Sequence, residues 1–189
     1  LLGDGEEAIL EIGKILKNAK QSQWTRVVTL EKLAEIPGIY VPTFFEPAYD
    51  TNGELQAVNS LKKGYEKVQR RILPYLETSY TPEKPLVPLV RIIHDRLGIE
   101  VARGCTRGCR FCQAGVIYRP VRERTADRVI ELAEKGMAEG GFDELALLSL
   151  STGDYSCLSS ALGRLMDTFV KQYVSVSMPS MRVGTLTPE

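Results

Sequence analysis

Long apolar runs are missing from these 189 residues, and no stretch approaches the ~20 residues a helix needs to cross a bilayer. A net charge is missing too. Lys plus Arg and Asp plus Glu number 24 each, so no global field draws the chain toward nucleic acid, whose part as a partner stays open; the local Arg119-Pro-Val-Arg-Glu-Arg124 cluster could touch an anionic substrate, and more often such a cluster makes salt bridges around a neighbouring loop. Internal repeats and low-complexity tracts are absent. Cysteine occurs only four times, too rarely for a disulfide-dense scaffold in a chain of this length. Histidine occurs once, as His94. A structural zinc site usually closes with four Cys or His ligands, so a zinc knot would have to recruit His94 or the distant Cys157.

What is present is concentrated. Three of the four cysteines fall within eight residues, Cys105-Thr-Arg-Gly-Cys109-Arg-Phe-Cys112. Three thiolates can hold three corners of a cubane iron–sulfur cluster and leave one iron open for chemistry. Cys109-Arg-Phe-Cys112 also embeds a C-x-x-C redox dithiol, a reading that leaves Cys105 without a role. Gly104 and Gly108 relax the backbone for a loop that wraps a bulky group. Arg103, Arg107 and Arg110 bring positive charge, which favours thiolate over thiol, although each could equally be a solvated loop residue. Phe111 offers an aromatic face to a bound purine, or packs in the core.

Around this loop the hydrophobic pattern alternates between strand and helix. Ile99-Glu-Val-Ala102 is a short strand leading into the cysteines. Thr125 is placed to cap a helix, with Asp127 in its first turn where negative charge suits the dipole. Val129, Leu132, Ala133 and Met137 share one helical face, and Gly140-Gly141 stops it. Leu145-Ala-Leu-Leu148 is a continuous apolar run, as in a parallel strand buried on both faces. Leu158, Leu162, Leu165 and Phe169 form a second helical stripe, and Val174 and Val176 alternate with serines in a third strand. This order reads as repeated βαβ units. In (β/α) barrels chemistry gathers at the carboxyl ends of strands, where both the cysteine loop and Ser151-Thr-Gly-Asp154 fall.

The C-x-x-x-C-x-aromatic-C loop after an apolar strand resembles the signature of radical S-adenosylmethionine enzymes. Gln113-Ala-Gly-Val-Ile-Tyr-Arg-Pro-Val-Arg-Glu-Arg-Thr125 makes the likeness closer. Together with Leu150–Ser156 and Met178–Val183, it is similar to a subgroup carrying a cobalamin-binding-like domain ahead of the barrel. The resemblance implies an α/β fold, a truncated (β/α) partial barrel preceded by a helical and hairpin linker. It also implies that Cys105, Cys109 and Cys112 bind a [4Fe–4S] cluster. The amino and carboxylate groups of S-adenosylmethionine would chelate the fourth iron, and an electron donor such as ferredoxin or flavodoxin would drive its cleavage to a 5′-deoxyadenosyl radical. Phe111 and Thr152-Gly153-Asp154 would help place S-adenosylmethionine; the latter departs from the family's usual Gly-Gly-Glu. Its alternative is a helix-capping turn, with Ser156 or Asp154 as the cap. The competing function is a non-catalytic iron–sulfur or zinc module for structure or electron transfer. The substrate is not legible: likeness to tRNA methylthiotransferases extends only to the cysteine loop and the basic stretch after it.

The front of the chain reads differently. Residues 1–20, with Leu1-Leu-Gly-Asp-Gly-Glu-Glu-Ala-Ile-Leu10, resemble the exit of a cobalamin-binding-like domain. Ile9, Leu10, Ile12, Ile15 and Leu16 suit a helix. The histidine-bearing loop typical of such domains is not in these residues, so cobalamin could belong to a full-length protein but is not supported here. Residues 21–88 read as a linker. It holds a helix over Leu30–Ile36 ended by Pro37-Gly38, an extended stretch Ile39–Tyr49, and an Asn52-Gly53 hairpin signal that pairs Leu55–Val58 back. Residues 89–189 read as the first half of the barrel. The chain, stopping at Thr187-Pro-Glu189, is expected to be a fragment of a longer enzyme, cytoplasmic because clustered thiols suit a reducing interior.

Overall fold

The computed structural model describes residues 1–90 and 92–185, so the expected ending at Thr187-Pro-Glu189 lies outside the described residues. The chain divides into two units, Leu1–Leu73 and Pro74–Glu189. The division falls inside the stretch 21–88 that reads as linker, not at either of its ends.

In the first unit, helix α1 (Ala8–Gln21) is followed by helix α2 (Arg26–Ala34). The second helix starts before the expected Leu30 because Thr25 has the extended backbone of a cap, and its hydroxyl accepts from the Val28 amide at 3.4 Å. Ile12 and Ile15 of α1 and Leu33 of α2 pack on a small core of Ile36, Ile39 and Val41. Ile9 and Leu10 stay exposed. Pro42 opens a 3-10 turn, Pro42–Phe44, which interrupts the expected extended run. Strands β1 (Phe45–Tyr49) and β2 (Leu55–Ser60) then pair antiparallel. The connection is longer than the two residues the Asn52-Gly53 pair suggests. Asp50 accepts on one carboxylate oxygen from the amides of Asn52 (2.8 Å) and Glu54 (2.9 Å), building an Asx-type turn of Asp50–Glu54. Arg71 returns to the start of the unit, donating to Glu7 at 2.9 Å and Glu11 at 2.7 Å.

The second unit is α/β. Strand β3 (Leu97–Glu100) pairs parallel with β6 (Glu144–Leu148), and β6 pairs parallel with β7 (Ser175–Ser177), in the order β3-β6-β7. A short antiparallel pair, β4 (Ala102–Arg103) with β5 (Arg122–Glu123), brackets the cysteine loop. The expected strand over Ile99–Ala102 is thus two pieces. Val101 bends the chain while staying bonded, donating to Leu148 and accepting from Arg124, both at 2.9 Å. Between the parallel strands run α3 (Ala114–Ile117), α4 (Ala126–Gly140) and α5 (Leu158–Phe169). A closed barrel is not formed by the described residues.

Packing follows the pattern read from sequence except at Leu148, which ends β6 and is exposed rather than buried. Thr125 caps α4, accepting from the Arg128 amide at 3.2 Å, and Gly141 ends it in the left-handed conformation. The buried face of α4 includes Val129, Leu132, Ala133 and Met137 as expected, with Ile130 and Gly136 added. Leu145, Leu147 and Leu165 are fully buried at the centre of the core, and each such side chain contributes about 1.5–3 kcal/mol of transfer free energy. The parallel sheet therefore sits on a conventional apolar core, and its strand ends are free to carry polar loops.

Candidate functional site

The cysteine loop leaves β4 at the carboxyl end of the first parallel strand. Gly104 makes the exit possible: its φ is +95°, and a Cβ there would lie 2.4 Å from the Tyr118 carbonyl oxygen. Gly115 closes the loop from the other side, because a Cβ on it would lie 2.6 Å from the Arg107 carbonyl oxygen. This glycine was not anticipated. A Cys112 amide bond to the Cys109 carbonyl (3.0 Å) folds the C-x-x-C portion into a turn, and the Arg107 amide points at the Cys105 sulfur at 3.4 Å.

All four cysteines are free thiols, Cys105 and Cys109 half-buried and Cys112 exposed. Among the described residues no three His, Cys, Asp or Glu side chains gather closely enough to hold a metal ion. The donor chemistry nevertheless suits an iron–sulfur cluster: three unpaired thiols share one glycine-flanked loop with solvent access. The alternative fourth ligands lie outside this loop. His94 lies before β3 and bonds Arg96 at 2.8 Å, with the extended run Leu97–Arg103 between it and the loop. Cys157 stands at the start of α5 and packs against the core.

Across from the cysteines, the 3-10 turn Thr152–Asp154 follows β6. The capping alternative fails: α5 has Cys157 at its N-cap position without a side-chain bond, and Ser156 bonds Glu123 instead. Thr152 is fully buried. Its hydroxyl bonds the Leu147 carbonyl at 3.2 Å and the Ser149 hydroxyl at 3.0 Å, and its amide donates to the Ser180 carbonyl at 2.8 Å. A Cβ on Gly153 would meet the Thr185 hydroxyl at 2.3 Å. Phe111 is 92% exposed, so its ring face is free and is not core packing.

Asp154 ties the site together. Its carboxylate accepts from Arg107 (Nε 3.0 Å, Nη2 2.5 Å), from the Ser151 hydroxyl (2.7 Å) and from Arg182 (Nε and Nη2, both 3.3 Å). Chiefly the Arg107 bond, helped by Ser151 and Arg182, holds its carboxyl well below the usual carboxylate range. The same pair raises the Arg107 guanidinium. Neither Arg182 nor Ser151 has a role assigned from sequence, although Ser151 opens the Ser151-Thr-Gly-Asp154 stretch and Arg182 lies in the Met178–Val183 segment that resembles the family. Cys105, Thr106, Ser151, Asp154 and Tyr155 line one small cleft of about 30 Å³, the room of a single water molecule rather than a nucleoside.

Arg103, Arg122 and Arg124 bond within the scaffold. Arg103 makes a two-point pair with Glu100, both bonds at 2.8 Å. Arg124 is buried and donates to the Glu100 carbonyl (2.9 Å), the Ser79 hydroxyl (2.8 Å) and the Thr81 hydroxyl (3.2 Å). Arg122, also buried, donates to the Pro120 carbonyl at 3.1 Å. Within this basic stretch Arg124 donates to a backbone carbonyl and to hydroxyls, and Arg122 donates to backbone carbonyls.

Residues 1–42 match the family of radical SAM proteins, N-terminal. That match supports membership of the radical SAM superfamily and does not extend to the cobalamin-binding-like subgroup. The chain is also 37% identical over 91 residues to an uncharacterized protein, MJ0966, of Methanocaldococcus jannaschii, an alignment covering 48% of this chain and 20% of that protein. The chain thus spans about a fifth of the length of the curated relative it matches. No solved structure matches it. No helix among the described residues is long and apolar enough to cross a membrane.

Proposed function

We propose that this chain supplies the cluster-binding front half of a radical S-adenosylmethionine enzyme. The observation that carries the reading is positional. Three free thiols lie on one loop at the carboxyl end of β3, beside the turn that follows β6, in a chain whose first 42 residues match radical SAM proteins. Carboxyl ends of parallel strands are where such α/β folds do chemistry.

In this reading Cys105, Cys109 and Cys112 hold a [4Fe–4S] cluster and no protein group covers its fourth iron. A cluster held there, once reduced by a ferredoxin- or flavodoxin-type donor, would supply the one electron needed to cleave S-adenosylmethionine into methionine and a 5′-deoxyadenosyl radical. The chain's own residues do the placing. Phe111 offers its exposed face to the adenine, the Thr152–Asp154 turn borders the methionyl end, and buried Thr152 anchors that turn to β6. Gly104 and Gly115 set the loop's exit and return.

Anaerobic reconstitution of the full-length protein tests this. The expected result is about four irons per chain and an EPR signal of the reduced cluster that changes when S-adenosylmethionine is added. Cys105→Ala, Cys109→Ala or Cys112→Ala should abolish it, while His94→Ala and Cys157→Ala should leave it intact. A cluster whose spectrum ignores S-adenosylmethionine, or one that needs Cys157 or His94, would establish the closed structural module instead.

A further inference from the structure

The turn after β6 is expected to help place S-adenosylmethionine, but its one acid is already fully engaged. A carboxylate offers about four lone-pair sites, and Asp154 accepts five bonds, from Arg107, Ser151 and Arg182. Both guanidiniums present the Nε–Nη2 edge that matches a carboxylate two-point fashion. Arg107 belongs to the cysteine loop, Asp154 to the loop after β6, and Arg182 to the segment after β7. One carboxylate therefore joins the loops at the ends of three parallel strands. Its side chain is only 19% exposed, and a second tie between the same two later loops runs from the Thr152 amide to the Ser180 carbonyl at 2.8 Å.

We propose that Asp154 is a positioning residue that clasps the cysteine loop through Arg107, rather than a direct ligand of S-adenosylmethionine. The clasp holds the loop against the turn after β6 before anything is loaded, with Arg182 bracing the carboxylate from the third loop. An ammonium group arriving at Asp154 would have to displace a two-point arginine. The role rests on the functional reading above for its purpose, but the clasp itself is a property of the unloaded chain and can be measured there.

The test is site-resolved alkylation of the unloaded full-length protein by iodoacetamide, read by peptide mass spectrometry. Cys157 sits outside the loop and serves as the internal reference. Asp154→Asn and Arg107→Gln should each speed alkylation of Cys105, Cys109 and Cys112 by about threefold or more, the scale of a partly exposed ion pair, with Cys157 unchanged. The double variant should be no faster than Asp154→Asn alone, since that change already removes the Arg107 link. The charge swap R107D with D154R should restore at least part of the protection. Equal acceleration at all four thiols would mean general destabilisation and overturn the proposal. So would unchanged loop thiols in Asp154→Asn accompanied, in reconstituted protein, by loss of the S-adenosylmethionine-induced spectral change. Failure of the wild-type protein to take up iron would refute the radical SAM reading and leave the alkylation result standing on its own.

Discussion

At the scale of single residues, the buried guanidinium of Arg124 is the most exposed to loss. Its donors satisfy the Glu100 carbonyl and the hydroxyls of Ser79 and Thr81, and burial lowers its affinity for its own proton. Removing it strands several buried acceptors at once. Arg124→Ala is expected to cost about 3 kcal/mol or more in urea denaturation, and a loss under 1 kcal/mol, roughly the effect of a surface change, would contradict this account. Tyr155 donates to the Arg124 carbonyl at 2.8 Å and is 3% exposed. Burial pushes its phenol above the ordinary value of 10.0. The sign follows from linkage: the folded state keeps the proton after the unfolded chain has lost it. Tyr155's contribution is complete below about pH 10 and disappears as pH rises through the folded value. Stability of the native protein should therefore fall between about pH 9 and 11 more steeply than that of Tyr155→Phe, as compared by urea midpoints at each pH.

At the scale of elements, α4 shows how local and tertiary terms combine. Thr125 both caps the helix and is itself held, its amide and hydroxyl donating to Glu77 at 2.9 and 2.6 Å. Thr125→Ala should cost about 1 kcal/mol, and Glu77→Gln less, as measured by thermal unfolding. Close approach matters more further along. A Cβ on Gly136 would lie 2.6 Å from Leu97 Cδ2, so Gly136→Ala pits better helix propensity against overpacking onto β3. The side chain of Leu97 is itself buried in the core, and the overpacking penalty of about 1–3 kcal/mol exceeds the propensity gain of about 1 kcal/mol. Net destabilisation is expected; a stabilised variant would show that Leu97 yields freely.

At the scale of the whole molecule, the two units have separate cores, one around Ile36, Ile39 and Val41 and one around Leu145, Leu147 and Leu165. Hydrogen exchange should accordingly find the slowest amides in β6 and α4, and fast exchange in residues 105–113, which bridge the sheet's edge with few backbone bonds. Slow exchange across the cysteine loop in the unloaded protein would mean that it is held by more than the Asp154 clasp.

The second unit's order of strands and helices could be read from the chain because apolar periodicity is local: Leu145–Leu148 and the Val129–Met137 face need only their own neighbours to declare themselves. The three cysteines likewise stand out by spacing alone, and the cluster proposed for them rests on that spacing. What could not be read was either local without being periodic, as in side-chain turns and caps, or dependent on partners far along the chain. Asp50, two residues before Asn52-Gly53, lengthened the hairpin connection, and Thr25 moved the start of α2. Arg107 and Arg182 met Asp154 across 47 and 28 residues. Charge pairing at such separations leaves no periodic trace; a carboxylate that reads as a ligand by motif becomes a clasp only when folding brings two guanidiniums to it.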